Sequence, residues 1–219
     1  MVPDFEYESR LWNQGMALVG GIDEVGRGCF AGPVHVACVG FCRGTVVPTS
    51  IQVNDSKKLT HKTRKVANVW IKENSSFCGV GEASVEEIDS DGINGAIQLA
   101  ARRAINNAEK DLGNSLHYLL IDAIEINDIT HLPNSKQISI IKGDSLSLSI
   151  AAASIVAKVA RDELMETLSR HPNYVKYGWD ANKGYGTKSH RDAILKYGVT
   201  DMHRKQFVNT FIQNSSQRI

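Results

Sequence analysis

Four acidic residues, Asp23, Glu24, Asp122 and Asp144, stand where apolar runs give way to turns. Asp23 and Glu24 close the run that begins at Ala17, Asp122 follows Leu116 to Ile121, and Asp144 precedes the alanine-rich stretch from Leu146. In an open α/β sheet, ligands gather outside the carboxyl ends of strands, so carboxylates from distant parts of a chain can meet there. Carboxylates brought together repel one another, and a hard dication such as Mg²⁺ relieves that repulsion through oxygen ligation. Two such ions, roughly 3.5 to 4 Å apart, can activate a water and stabilise a departing oxygen in phosphodiester hydrolysis. The chemistry implied is metal-assisted phosphoryl transfer. Taken singly, these residues have plainer uses: Asp144, after Gly143, could be a helix N-cap, and Asp122 a turn residue. Asp23 and Glu24 would face opposite ways in a regular strand, so a shared site requires the chain to leave strand geometry at that pair. The glycines that follow permit this.

The elements that must position these groups read as an alternation of strands and helices. Ala17 to Asp23 and Pro33 to Phe41 are extended apolar runs joined by a turn containing Gly26, Gly28 and Gly32, which predicts a hairpin. A charged loop, Asp55 to Thr60, leads into a helix ending near Glu73, and Ser76 to Ala83 is a third strand. Ile93, Ile97, Ala101, Ala104 and Ala108 recur at helical intervals, so a helix is expected over Ile93 to Lys110, stopped by Gly113 and Asn114. Leu116 to Ile121 has the wholly apolar character of a strand covered on both faces. Ser135 to Ile141 is a fifth strand, and Leu146 to Leu168 a long helix suited to close packing. Beyond Pro172 come a loop rich in Gly, Lys and aromatics and two helical segments, one near His190 to Tyr197 and one after His203.

The class is therefore α/β. A chain of 219 residues with 42% hydrophobic content can build one substantial core. With no internal repeat and no low-complexity linker, a single domain over 1–219 is expected, its α/β core at about 17–170 and a C-terminal part at about 171–219 packed on it. The net charge of +1 means that any nucleic-acid surface must come from local clustering. The start, MVPDFEYESRLWNQG, has no cationic segment followed by an apolar stretch, and the most apolar stretch, Ile150 to Ala160, is interrupted by Ser154 and Lys158. A cytoplasmic protein without membrane contact is the expectation. Cys29, Cys38, Cys42 and Cys78 form no CxxC pair and have no histidines at zinc-finger spacing, so free, mostly buried thiols are expected.

The string GIDEVGRG, Gly21 to Gly28, resembles the first signature of ribonuclease HII. Three further strings agree in order and spacing: DSKKLT from Asp55, KGD from Lys142 followed by SIAAASIVAKVARD ending at Asp162, and GYGT from Gly184 with His190 shortly after. The resemblance runs from about Gly20 to His203. It implies an RNase H-like fold, a mixed five-stranded sheet flanked by helices with a helical C-terminal extension. It implies that Asp23, Glu24, Asp122 and Asp144 are the catalytic carboxylates, holding two ions of Mg²⁺ or Mn²⁺ during catalysis. The substrates implied are RNA–DNA hybrids and duplex DNA with embedded ribonucleotides, cut 5′ to the ribonucleotide to leave 3′-hydroxyl and 5′-phosphate ends.

By the same likeness, Gly26, Arg27 and Gly28 sense the ribose and Tyr185 stacks on the sugar beyond the junction. This fits the physics, because only the 2′-hydroxyl distinguishes RNA from DNA locally and small glycines allow close backbone approach. Arg27 can offer a phosphate its planar fork of donors, or form a surface salt bridge. Tyr185, between two glycines, reads as an exposed aromatic for sugar or base contact, or as a surface cap. Ser56, Lys57, Lys58, Lys142, Lys183 and Lys188 would make a positive rim touching the nucleic-acid backbone, although each alone is an ordinary solvated group. His190 could assist the leaving group or bind substrate, or be structural. Asp162 is read as a helix-face ion-pair partner. The segment between Asp122 and Lys142 is longer than the family pattern and reads as an extended surface loop.

Three rivals remain to be weighed. Ribonuclease HIII usually has a lysine between the two glycines and an added N-terminal domain, whereas this chain has Arg27 and a short N-terminus. GRGCFAG shares the glycine pattern of a nicotinamide dinucleotide site, but Pro33 and the run after it make no phosphate-binding helix. A non-catalytic hybrid-binding module would have little use for the carboxylate set. A monomer is expected. Phe207 and Phe211, one helical turn apart, are assigned to packing rather than to a replication clamp, for which the sequence offers no support.

Overall fold

The computed structural model describes residues 2–122 and 125–216. Five strands, β1 (Val19–Val25), β2 (Val34–Gly40), β3 (Phe77–Ala83), β4 (Tyr118–Asp122) and β5 (Gln137–Ile140), form one sheet in the order β3-β2-β1-β4-β5. The first three are antiparallel, while β4 runs parallel to β1 and β5 parallel to β4. The mixed sheet expected from the family resemblance is present. Seven α-helices accompany it among the described residues: α1 (Glu6–Asn13), α2 (His61–Asn74), α3 (Val85–Leu112), α4 (Leu148–Leu168), α5 (Trp179–Asn182), α6 (Lys188–Tyr197) and α7 (Lys205–Ser216).

Each face of the sheet carries one alanine-rich helix. Ala100, Ala104 and Ala108 of α3 pack with Val34, Val36, Phe77 and Leu119 on one side. Ala152, Ala153 and Val156 of α4 pack with Ala37, Val39 and Phe41 on the other, joined by Ala67 and Ile71 of α2. Small residues on helix and strand let the backbones approach. A Cβ added at Gly81 would lie 2.1 Å from the Ala100 carbonyl oxygen, and one at Gly21 would lie 2.2 Å from the Ser149 carbonyl carbon. The second contact sets the spacing between β1 and the first turn of α4.

α3 starts earlier than its periodicity suggests. Ser84 and Glu87 form a reciprocal capping box at its start, and the helix is broken at Gly92, where φ is 72° and ψ 167°. The regular apolar spacing begins only after that break, at Ile93. The helix ends as expected at Gly113, in the left-handed region with φ 70°.

α1 has no counterpart among the elements expected from sequence. This helix buries Leu11 and Trp12 against Leu120, Ile140 and Ile150. Glu8, wholly buried, accepts hydrogen bonds from Ser147 Oγ at 2.7 Å and Ser149 N at 2.9 Å, at the start of α4. Just before it, Leu148 N donates to the Asp4 carbonyl at 2.8 Å. The N-terminal segment thus clamps the beginning of α4. Among the cysteines, Cys29 and Cys38 are buried as expected, but Cys42 is exposed. Tyr177, Trp179, Ile194 and Val208 close the C-terminal part onto Ala31 and Met165, with Phe211 packed alongside and Phe207 packed against the α3 side.

Gly21→Ala should overpack the contact between β1 and α4 and destabilise the protein by about 1–3 kcal/mol. Denaturant unfolding checks this, and unchanged stability would show that the approach at Gly21 is not tight.

Candidate active site

The register of the sheet brings two of the carboxylates together. Ile22 of β1 pairs with Ile121 of β4 in parallel, so Asp23 and Asp122 are the next residues along neighbouring strands. Ile22 and Ile121 belong to the α3 side of the sheet, which turns Asp23 and Asp122 toward the α4 side. Asp144 arrives from a single 3₁₀ turn, Gly143–Ser145, just ahead of α4. Carboxylate oxygens of Asp23, Asp122 and Asp144 all lie within 4.8 Å of one another.

Local bonds hold each acid in place. Asp23 Oδ1 accepts from Glu24 N at 2.8 Å, and Asp122 Oδ1 accepts from Gly143 N at 3.0 Å, tying the end of β4 to the turn that carries Asp144. The intervening loop, expected from sequence to be an extended surface loop, is partly built into the core. Ile126 and Leu132 are buried, and the Gln137 side chain bonds Ile126 N, Ile126 O and Leu132 O. Ala123 and Ile124 lie outside the described residues. Asp144 is not the N-cap of α4, because Ser147 fills that position by accepting from Ile150 N.

Burial and mutual repulsion dominate the electrostatics. Asp23 is 7% exposed, and its carboxyl is pushed well above the ordinary range, first by burial and then by Glu24, Asp122 and Asp144, against a neighbouring Ser154 hydroxyl that lowers it. Asp144, also 7% exposed, is raised by burial and then by Asp55 and Asp122, with Lys57 opposing. These are all-oxygen donors that resist holding their charges together, which fits a hard divalent cation.

Glu24 is placed differently from the expectation. The chain does not leave strand geometry at the pair: Asp23 and Glu24 both remain in β1, opposite Ala37 and Val36 of β2. Their side chains therefore point to opposite faces, and Glu24 stands outside the close triad, half-buried, with Oε1 3.6 Å from Arg27 Nη1. It remains electrically linked. Burial raises its carboxyl, Arg27 lowers it, and Asp122 raises it.

Asp55, Lys57, Lys58, Lys142 and Ser145 line a notch of about 460 Å³ with Asp122 and Asp144. Lys58 Nζ donates to Ser145 Oγ at 2.8 Å. Asp55, not among the site residues expected from sequence, caps the 3₁₀ turn Ser56–Lys58 by accepting from Lys57 N. Ser56 is turned inward, not toward the rim, and its hydroxyl accepts from Ser154 Oγ at 2.9 Å. Lys183 Nζ is engaged with Glu166 Oε1 and the Asp180 carbonyl, both at 2.6 Å, while Lys188 is exposed and paired with Asp192 at 2.8 Å. Asp162 pairs with Lys158 at 2.6 Å and Arg64 at 3.5 Å, as its helix-face reading anticipated.

The glycine-flanked loop follows directly on β1 and rests on Arg161 of α4. Gly26 has φ 92°, and a Cβ there would lie 2.3 Å from Arg161 Nε, so only glycine fits. A Cβ at Gly28 would meet no atom within 4 Å. Arg27 Nη2 donates to Asn94 Oδ1 at 2.9 Å. Tyr185 is half-buried rather than freely exposed. It bridges to Cys29, with Lys158 Nζ 5.5 Å and the Arg161 guanidinium 5.8 Å from its ring centre, and burial pushes its hydroxyl up to about 12.

His190 is wholly enclosed, so its contacts are structural. Its Nδ1 faces the Tyr185 carbonyl at 3.0 Å, which can only accept, so that nitrogen carries the proton. Nε2 then accepts from Trp179 Nε1 at 3.1 Å and from His203 Nε2 at 3.2 Å. His203 Nδ1 in turn accepts from Thr200 N at 2.9 Å. One tautomer of each ring satisfies the whole chain, and both rings must be neutral.

An α/β fold with this mixed sheet is of the RNase H-like class, and carboxylates meeting at the ends of adjacent parallel strands suggest a metal site. The family model described as Ribonuclease HII matches residues 20–210. The chain belongs to the ribonuclease HII family, which makes it an endonuclease. It is 48% identical over 216 residues to a ribonuclease HII from Wolbachia sp. subsp. Brugia malayi (strain TRS), covering 99% of this chain and 97% of the relative. Among solved structures, the fold is similar to that of the PCNA:RNase HII complex from Archaeoglobus fulgidus, with TM-score 0.68 and 23% identity over 85% of this chain and 93% of that one. It is also similar to Bst-RNase HIII in complex with Mn²⁺, with TM-score 0.65 and 21% identity over 86% of this chain and 65% of that one.

Burial lowers both imidazoles, His203 to about 4 with a further push from His190. In the unfolded chain a histidine titrates near 6.5. Between about 6.5 and 4 the unfolded state therefore binds more protons, so this contribution to stability is present above that window and lost as pH falls through it. Urea unfolding across the window should show a shallower decline for His203→Asn than for the parent protein. Equal slopes would contradict the neutral-pair assignment.

Proposed function

We propose that this endonuclease cuts the RNA strand of RNA–DNA hybrids and cuts duplex DNA on the 5′ side of an embedded ribonucleotide, leaving 3′-hydroxyl and 5′-phosphate ends. The observation that carries this reading is the convergence of Asp23, Asp122 and Asp144 within 4.8 Å in a chain of this family. Asp23, Glu24, Asp122 and Asp144 would hold Mg²⁺ or Mn²⁺, with Glu24 approaching from the other face of β1. The chemistry such ions would supply when bound is activation of a water and neutralisation of charge on the departing oxygen.

The chain's own residues supply position and selectivity. The bond from Gly143 N fixes Asp122 relative to Asp144, so the acids are preorganised rather than gathered by substrate. Lys57, Lys58 and Lys142 at the mouth of the notch offer ammonium groups to the substrate backbone. Gly26, Arg27 and Gly28 present backbone and guanidinium groups to the ribose and its phosphate, and Tyr185 offers its ring to the neighbouring sugar. The exposed Lys188 can extend the contact. Lys183, Ser56 and His190 act from within, through the bonds already described. The enzyme works as one unit over 1–219, and its four free cysteines fit a reducing cytoplasm.

Asp23→Asn removes a ligand without removing the cationic rim. Turnover of a duplex with one ribonucleotide should fall by at least about a thousandfold while binding of the same duplex changes less than about threefold. Equal losses of turnover and binding would overturn the assigned role.

A further inference from the structure

Two buried arginines have no part in the carboxylate site. Arg161 in α4 and Arg204, just ahead of α7, are both 0% exposed. Arg161 donates from Nε to the Pro33 carbonyl at 2.9 Å, from Nη2 to Ala31 at 2.9 Å and from Nη1 to Lys183 at 2.8 Å. Arg204 donates from Nε to the Gly32 carbonyl at 2.8 Å and from Nη1 to Arg27 at 3.0 Å, while its Nη2 is buried with no hydrogen-bond partner. These acceptors are backbone carbonyls of two segments, 27–33 and the turn at Lys183. Backbone bonds join the same two segments, Phe30 N and Ala31 N donating to the Gly184 carbonyl, and a further bond from Gly32 N to the Met202 carbonyl ties in the segment before α7.

Burying a guanidinium costs several kcal/mol unless it is paired with an opposite charge. Here the partners are neutral. Among the described residues no carboxylate bonds either group, and Asp89 acts on Arg204 only through space. Carbonyl dipoles satisfy the donors but do not cancel two like charges. A planar fork can reach several carbonyls in different directions at once, and a single ammonium cannot.

We infer that Arg161 and Arg204 are positioning residues for ribose selection, holding the Gly26–Gly28 loop and the Tyr185 turn in one rigid arrangement before substrate arrives. Their unneutralised charge lies directly behind this surface and favours a substrate phosphate in front of it. The inference rests on the proposal that Gly26, Arg27, Gly28 and Tyr185 read the ribose.

The test is steady-state kinetics on a duplex with one ribonucleotide, with the all-DNA duplex as competitive inhibitor. The ratio of the inhibitor's Ki to the substrate's KM measures ribose preference. Arg161→Lys and Arg204→Lys should each raise KM by about tenfold and lower the ratio by about fivefold, with kcat within about threefold of the parent. Mn²⁺ affinity should be unchanged, because the carboxylates are untouched. Gly28→Ala and Tyr185→Ala serve as controls on the underlying reading. If the controls lower the ratio and folded lysine variants do not, the positioning role is overturned and the loop reading stands. If the controls also leave it unchanged, the loop reading fails and takes this inference with it.

Hydrogen exchange on the parent protein provides a second arm that needs no variant to fold. The amides of Phe30, Ala31 and Gly32 should be protected in the free enzyme to the degree seen in β1. Exchange there at the rate of an open loop would overturn the inference.

Discussion

Mutual repulsion among carboxylates is the constraint around which this molecule is organised. Two ionised groups within 4.8 Å of each other at an effective dielectric of about 20 repel by at least roughly 3 kcal/mol, and Asp23, Asp122 and Asp144 form three such pairs. A flexible chain would let them drift apart. Here the parallel register of β1 and β4 fixes two of them, and the bond from Gly143 N to Asp122 fixes the third relative to the second. The N-terminal segment strengthens the arrangement from outside, with Asp4 and Glu8 gripping the chain between residues 147 and 149. The acids are thus kept together in a form that a divalent cation relieves.

The other half of the site has the opposite polarity. Beyond the end of β1, the loop at Gly26 rests on Arg161, and Arg161 and Arg204 bond to carbonyls of residues 27–33 that satisfy their donors without cancelling their charge. Glu24 lies between the halves, drawn by Arg27 and repelled by Asp122. Under the proposed function, strand selection and hydrolysis would be supplied by different residues.

Much of this was legible in the residues themselves. Asp23, Asp122 and Asp144 could be selected because strand ends in an α/β sheet converge, and the apolar runs marked those ends. The expected departure from strand geometry at Asp23 and Glu24 does not occur, because pairing with Val36 and His35 carries the strand on to Val25. Local pattern alone defines α1 weakly, because at eight residues it is too short to be stable by itself and its Leu11 and Trp12 are held by residues more than a hundred positions away. The same limit hid the enclosure of His190, which depends on Trp179 and His203 closing over it. Arg161 stood within a recognised string, but its use is defined by carbonyls about 130 positions earlier, and no periodicity encodes that.

Binding of Mn²⁺ followed by electron paramagnetic resonance tests the central claim most directly, because it reports the carboxylate cluster without requiring substrate or turnover. Single Asp→Asn changes at 23, 122 and 144 should each weaken Mn²⁺ binding by at least about tenfold, since each removes one ligand from a shared site. Affinity that is unchanged by the substitution at Asp122, in a variant that remains folded, would contradict the account.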